Sequence, residues 1–149
     1  MSVRLAIVAA EFNRPLIDAM VAAAGAEAAA LGAEVAHVVR VPGSYEAPLV
    51  VDRLLAKAGV HAVVVLGYIE RGETLHGEVM GHVTHRAIVD LSLKYGKPVG
   101  FGVIGPGATA AQAETRKDSY ARAAVRAALR ALEAAAALGG GRPRRTRKR

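Results

Sequence analysis

The sequence predicts an α/β fold, a three-layer α/β/α sandwich in which helices cover both faces of a four-stranded parallel sheet. Four short apolar segments alternate with four longer segments of helical pattern, which is typical of βαβ units. Residues 63–66 are continuously apolar, as expected for a strand covered on both faces. The chain has 149 residues and is 52% hydrophobic, which suits one domain with a sizeable core. We expect that domain to span residues 1–138, followed at 139–149 by a disordered tail rich in glycine and arginine.

The elements follow one another in strict alternation. The β-branched and aliphatic segments predict strands at residues 3–9, 35–41, 62–66 and 99–104. The intervening patterns predict helices at residues 15–31, 45–58, 74–95 and 109–138. Pro15 suits a first helical turn, and glycine follows each predicted helix, at Gly32, Gly59, Gly96 and 139–141. Ligands of such sheets bind beyond the carboxyl ends of the strands, which here means the loops at 10–14, 41–46, 67–76 and 105–109.

Composition excludes several classes of protein. The chain has no cysteine, which excludes a disulfide scaffold, thiolate zinc sites and thiol catalysis. No apolar segment reaches the roughly 18 residues that a membrane span needs. The first residues lead straight into a strand pattern, without the features of a signal peptide. We therefore expect a cytoplasmic protein that does not enter a membrane.

The net charge of +7 belongs to the tail. Six of the 20 basic residues lie at 142–149, which leaves 14 to balance 13 acidic residues in the rest of the chain. Aromatic residues make up only 4% of the sequence, fewer than a stacking surface for single-stranded nucleic acid needs. The composition of the tail favours a solvated extension. The alternative is an electrostatic contact with RNA or acidic partners through the tail alone.

The segment 67–76 carries the densest group of candidate functional residues. It follows a buried strand and opens a helix, and backbone N–H groups at a helix start form an anion site. We expect Glu73 and Thr74 to occupy the first helical turn and to hold phosphate on their amides. His76 lies at the end of that turn, and its ordinary pKa suits proton transfer near neutral pH. The alternative is an ordinary βα loop with a surface histidine.

Two further loops carry candidates of lower specificity. Ser44 is a plausible N-cap, and Glu46 a first-turn acid able to accept hydrogen bonds from ligand hydroxyls, although any βα connection can look like this. Phe12 follows the first strand, where an aromatic ring either packs into the core or contacts a flat ligand. The glycine-rich loop at 105–109 lacks the Lys-Ser/Thr ending of a P-loop. Arg116, two turns into the last helix, is either a phosphate ligand or a solvated arginine.

The remaining histidines do not predict a metal site. His82 and His85 lie six and nine residues after His76, whereas two histidine ligands on one helix face lie four apart. We expect no metal, and we interpret His37 and His61 as structural.

Taken together and in order, the loops resemble the lumazine synthases (6,7-dimethyl-8-ribityllumazine synthases). The resemblance covers residues 5–132 and depends on four short motifs, at 11–13, 41–46, 72–76 and 112–116. Each motif is weak alone, but four in the correct order and spacing are fairly specific. The loop at 105–107 is more similar to the archaeal branch than to the bacterial one.

The resemblance implies a flavodoxin-like fold and a cofactor-free reaction in riboflavin biosynthesis. These enzymes condense 5-amino-6-(ribitylamino)uracil with 3,4-dihydroxy-2-butanone 4-phosphate, releasing phosphate and water. It implies that His76 transfers protons. It further implies that the pyrimidine and ribityl groups contact Phe12, Ser44, Tyr45, Glu46, Tyr68, Ile69, Glu70 and Phe101. Phosphate contacts would come from Glu73, Thr74 and Arg116.

The resemblance also implies an assembly and partners. Family sites lie between the subunits of a homopentamer, often with twelve pentamers in a 60-subunit shell, so Phe101 and Arg116 would come from the neighbouring subunit. Riboflavin synthase is a further partner that the resemblance implies. The alternative function is a non-catalytic relative that binds a flavin or forms a shell, with a tail that binds RNA or acidic partners.

Overall fold

All four predicted strands and all four predicted helices are present in the computed structural model, which describes residues 2–139. The strands are β1 (Arg4–Ala10), β2 (Glu34–Val41), β3 (Ala62–Glu70) and β4 (Val99–Ala108). The helices are α1 (Arg14–Ala30), α2 (Ala47–Leu55), α3 (His76–Tyr95) and α4 (Ala110–Ala137). A single 3₁₀ turn, Ser44–Glu46, precedes α2. The predicted fold class is confirmed. Apart from Gly139, the predicted tail lies outside the described residues.

The four strands form one parallel sheet in the order β2-β1-β3-β4. This is the order of the flavodoxin-like folds, in which the crossover helices cover both faces. β1 and β3 lie inside the sheet, and their side chains are almost all buried. Residues 63–66 are thus continuously apolar because helices cover both faces of β3, as predicted.

Two apolar cores flank the sheet. One packs α1 and α4 against one face, around residues such as Ile7, Met20 and Val125. The other packs α2 and α3 against the opposite face, around Val51, Val63 and Ile88. Among residues 2–139, no helix is both long and apolar enough to cross a membrane.

Two strands extend beyond their predicted ends. β3 continues to Glu70 rather than ending at residue 66, and β4 continues to Ala108 rather than ending at residue 104. The cause is long-range pairing, since Glu70 pairs with Ala108 across a register shift and the N–H of Arg71 donates to the Ala108 carbonyl at 2.9 Å. The predicted loop at 105–109 is therefore largely an extension of the sheet.

Two helices begin later than predicted. α3 begins at His76, so Glu73 and Thr74 precede the helix instead of forming its first turn. Ser44 does not cap α2, because the 3₁₀ turn intervenes and no side-chain cap hydrogen bond forms there. At the start of α4, Thr109 and Gln112 form a capping box in which each side chain accepts from the other residue's backbone N–H.

Candidate active site

A cleft of about 460 Å³ opens at the carboxyl ends of β1, β2 and β3. The sheet rule predicted a site at this edge. Residues from three βα connections line it together: Ala10, Phe12, Pro42, Gly43, Ser44, Glu46, Tyr68, Ile69, Glu70, Gly72, Thr74, His76, Gly77 and Met80. Eight of the predicted site residues are among them. Met80 was not predicted, although it lies one helical turn after His76.

Phe12 lies at the mouth of the cleft rather than in the core. Asn13 next to it adopts a left-handed conformation with φ of 53°, which turns the chain from β1 into α1. The N–H of Phe12 donates to the Pro42 carbonyl at 3.3 Å, which holds this loop against the end of β2. The Phe12 side chain remains 49% exposed, with its ring 6.4 Å from that of Tyr68. This position favours contact with a flat ligand over core packing.

The 3₁₀ turn brings polar groups to one wall of the cleft. Ser44 and Glu46 both line the cleft. Tyr45 lies at the rim, 43% exposed, and its ring meets that of His76 edge-on with 6.0 Å between centroids. An edge-on contact of this kind restrains the imidazole without using its nitrogen atoms.

Tyr68 forms the buried floor of the cleft. Its hydroxyl donates to the Ala108 carbonyl at 3.0 Å, and only 3% of the residue is exposed. Burial, with the nearby charge of Glu70 as a smaller cause, raises the pKa of the Tyr68 phenol. The phenol is therefore neutral and its proton is already donated to Ala108, so Tyr68 can contact a ligand with its ring but does not suit acid–base chemistry. Ile69 is likewise buried beside it, whereas Glu70 is exposed.

His76 is the first residue of α3 and faces the cleft. Its backbone N–H donates to the Thr74 hydroxyl at 3.4 Å. Gly77 lets the helix start close to β3, because a Cβ there would lie 3.3 Å from the Glu70 carbonyl oxygen. Thr74 lines the cleft, but Glu73 is exposed and does not.

Two predicted residues lie away from the cleft in the same chain. Phe101 lies on β4 beneath α3, where its ring stacks on that of His85. Arg116 lines a separate hollow of about 270 Å³ with Gln112, Tyr120 and residues 104–108. A single chain therefore does not bring these two side chains to His76.

Metal ligation has no support among residues 2–139, where no three His, Asp or Glu side chains are grouped to hold an ion. His61 has a structural partner, since its Nδ1 accepts the Arg4 N–H at 2.9 Å. His37 is exposed on β2. Sequence reasoning considered His85 only as a metal ligand and missed its contact with Phe101, because the two residues lie on different elements.

Comparison with known proteins decides the family. Residues 2–138 match the family model of 6,7-dimethyl-8-ribityllumazine synthase. The chain belongs to the 6,7-dimethyl-8-ribityllumazine synthase family. Relatives of that name from Aeropyrum pernix and Pyrobaculum arsenaticum are each 46% identical, over 129 and 128 residues. These alignments cover 86% of this chain in both cases, and 88% and 85% of the two relatives.

A lumazine synthase from Saccharolobus islandicus is also 46% identical, over 132 residues, or 89% of this chain and 86% of the relative. The resemblance to the archaeal branch is thereby confirmed. So is the expected activity, since the protein is a transferase of riboflavin biosynthesis. The roles of individual residues stay predictions, to which the geometry of the cleft adds support.

Proposed function

We propose that the cleft is the site where 5-amino-6-(ribitylamino)uracil condenses with 3,4-dihydroxy-2-butanone 4-phosphate. The observation that carries this proposal is the convergence of Phe12, Glu46 and His76, from three separate βα connections, on one cleft. The reaction needs an aromatic face for the pyrimidine ring, an acceptor for the ribityl hydroxyls and a group that carries protons. Phe12, Glu46 and His76 supply these in turn. Positioning two substrates together with proton transfer supplies the catalysis.

The reaction proceeds through an imine. The 5-amino nitrogen attacks the butanone carbonyl carbon, and water leaves as the C=N bond forms. Loss of a proton from the neighbouring carbon then expels phosphate. Phosphate loss leaves an enol at that neighbouring carbon, which tautomerises to a ketone by protonation of the terminal CH₂ group. The ribitylamino nitrogen then attacks this new carbonyl carbon and closes the ring with loss of a second water. We assign the proton transfers to His76, whose ring lies in the cleft beside Tyr45.

The pyrimidine and its ribityl chain occupy the wall formed by the first two loops. Phe12 stacks on the ring, and Ser44, Tyr45 and Glu46 hold the polar edge and the ribityl hydroxyls. Tyr68, Ile69 and Glu70 line the floor and the far side. The position of these residues around one cavity supports this assignment.

Phosphate binds at the segment before α3. We assign it to the backbone around Glu73 and Thr74, the Thr74 hydroxyl, and the backbone N–H groups of the first turn of α3. Arg116 of the neighbouring subunit supplies the positive charge.

A homopentamer completes the site. One chain leaves Phe101 and Arg116 away from the cleft, so an intact site needs a second copy. α3 and the residue before it also expose large apolar side chains, namely Leu75, Val79, Val83 and Leu93, with exposed fractions from 51% to 74%. An exposed apolar stripe of this kind suits subunit packing. A 60-subunit shell, a riboflavin synthase partner and the cytoplasmic location stay predictions.

Product formation tests the reaction. Purified protein mixed with both substrates should form 6,7-dimethyl-8-ribityllumazine faster than the spontaneous background, measured by absorbance or fluorescence. Light scattering after size exclusion should show an oligomer in the same sample. Background-level formation by an assembled protein would instead favour the non-catalytic, flavin-binding or shell-forming function.

Mixed assemblies test the shared site. His76→Ala and Arg116→Ala chains should each be inactive alone. Co-assembled in equal amounts, they should recover activity in about one quarter of the sites, since a neighbouring pair then supplies both side chains. The matched control mixes His76→Ala with Glu46→Ala, whose residues share one cleft, so no site becomes intact and activity should not exceed that of the Glu46→Ala chains present. No recovery in the first mixture would contradict the shared site.

The tail supports a second, minor function, which is RNA binding. Six of its last eight residues are basic, while the rest of the chain is nearly neutral. Residues 139–149 contain no large apolar side chain that could enter a membrane, and arginine pairs readily with phosphate. Deleting residues 142–149 should abolish RNA retention without loss of synthase turnover. Equal RNA binding by the truncated protein would refute this function.

A further inference from the structure

The structure gives Phe101 a single aromatic neighbour within its own subunit, among residues 2–139. The rings of Phe101 and His85 stack with centroids 5.0 Å apart and planes 12° from parallel. Phe101 is only partly buried, on the edge strand β4. Phe101 also packs against the apolar core beneath α2 and α3, so the stacked His85 ring is one of the contacts that restrain it.

The backbone of α3 fixes the His85 ring in turn. Its Nδ1 lies 2.6 Å from the carbonyl oxygen of Gly81, one helical turn earlier. That carbonyl accepts only if Nδ1 carries the proton, so this contact sets both the ring orientation and the tautomer. The imidazole of His85 thus has a fixed orientation relative to α3.

The opposite face of β4 is held by a separate contact. A Cβ at Gly100 would overlap the carbonyl oxygen of Ala124, so glycine allows α4 to lie directly on the strand there. α4 therefore contacts β4 at Gly100, whereas the Phe101 ring stacks on a residue of α3. Gly81, whose carbonyl contacts the His85 ring, also lies against the 105–107 loop, since a Cβ at Gly81 would lie 2.9 Å from Pro106.

We propose that His85 is a positioning residue that holds the ring of Phe101 in the orientation required by the neighbouring subunit's cleft. This inference rests on the proposed function, which places Phe101 at the pyrimidine of an adjacent subunit. His85 itself touches no substrate. It acts by preventing rotation of a ring that would otherwise present varied faces to the ligand.

Loss of the stacked ring should weaken binding of one substrate only. His85→Ala should raise KM for the pyrimidine substrate by about 3- to 10-fold, the range of an aromatic pair contact. KM for the butanone phosphate and the oligomer size should stay unchanged. His85→Phe keeps a flat ring over Phe101 without the Gly81 contact, and should recover most of the affinity.

A double-mutant cycle with Phe101→Leu separates this inference from the proposed function. If both hold, Phe101→Leu raises KM for the pyrimidine substrate, and adding His85→Ala produces no further increase. An effect of Phe101→Leu without an effect of His85→Ala would overturn the positioning role and leave the proposed function intact. No effect of Phe101→Leu would overturn both assignments. A rise in both KM values with a changed oligomer size would show that His85 acts on assembly instead.

Discussion

Polar side chains at the two ends of the sheet differ in their hydrogen bonding. At the amino ends, they bond to other residues of the chain. Lys97 donates to the carbonyls of Leu55 and Lys57 at the end of α2, at 2.9 and 2.8 Å. Between α1 and α4, Glu27 is bonded by Arg122 and Arg126, at 3.2 and 3.0 Å.

At the carboxyl ends, four polar side chains of the cleft are left free for other molecules. Within residues 2–139, Ser44, Glu46, Glu70 and His76 line the cleft without a side-chain hydrogen bond to any other residue. The contrast teaches that one end of the sheet stabilises the fold, while the other keeps hydrogen-bonding groups available for ligands. Substitutions at the two ends should therefore change different properties.

The largest effect is expected at His76. His76→Ala should lower kcat by about 10²- to 10⁴-fold, the usual contribution of a general acid–base group. Stability and oligomer size should not fall, because the His76 side chain has no hydrogen-bond partner among residues 2–139. The matched control is His82→Ala on the same helix, where the side chain is exposed and outside the cleft. Equal losses in both variants would argue for a general effect on α3.

A smaller change in binding is expected at Glu46. Glu46→Gln should raise KM for the pyrimidine substrate by roughly 10- to 100-fold, because hydrogen bonds to a carboxylate are stronger than those to an amide. Thermal unfolding should be unchanged. Steady-state kinetics with each substrate varied in turn measures this effect. Reduced stability with an unchanged KM would instead assign Glu46 to the fold.

At the amino end, Lys97→Met should leave kcat unchanged and reduce the free energy of unfolding. We expect a loss of about 1–3 kcal/mol, because two carbonyls at the end of α2 lose a charged donor. Burial lowers the pKa of this ammonium, so part of the gain is already offset by desolvation. Lys57→Met is the matched control, since only the backbone carbonyl of Lys57 takes part. Denaturant unfolding of both variants gives the comparison.

The smallest effect is a pH dependence of stability through Glu27. Hydrogen bonds from Arg126 and Arg122 lower the pKa of Glu27 below its ordinary value of 4.5 in the folded protein. The unfolded chain therefore binds the proton first, and stability falls as pH drops below 4.5 towards the lowered value. Unfolding curves between pH 3 and 6 should show this loss, and Glu27→Gln should remove its share. An unchanged slope in the variant would place the pH dependence elsewhere.

The regular parts of the fold follow from local patterns. The alternation of apolar and helical segments predicts every strand and helix, because each pattern is set by which faces are buried. The ends of β3 and β4 do not follow, since Glu70 pairs with Ala108 through contacts between distant segments. Polar residues and glycine near these ends look like loop residues until the partner strand is known. The start of α3 at His76, two residues later than predicted, could not be predicted either, because β3 extends to Glu70 through the same long-range pairing.

The site is predictable as far as topology determines it. The parallel sheet places the loops of Phe12, Ser44 and His76 at one edge, and the structure brings them to one cleft. The contact of His85 with Phe101 could not be predicted, because it depends on the rotation of α3 over β4. Residue spacing along α3 gives the relative direction of His85 but not the strand residue beneath it.

Helix α4 determines where another domain can be fused to the protein without blocking the cleft. It begins directly after β4, at the cleft end of the sheet, and its 28 residues carry the chain back by about 42 Å. Near its end, Ala136 borders the same hollow as Val3 and His61, at the opposite end of the sheet. A cargo domain or an immobilisation tag fused after α4 would thus leave the entrance for substrates open. The same separation makes this helix a suitable attachment point for a second enzyme in a synthetic relay.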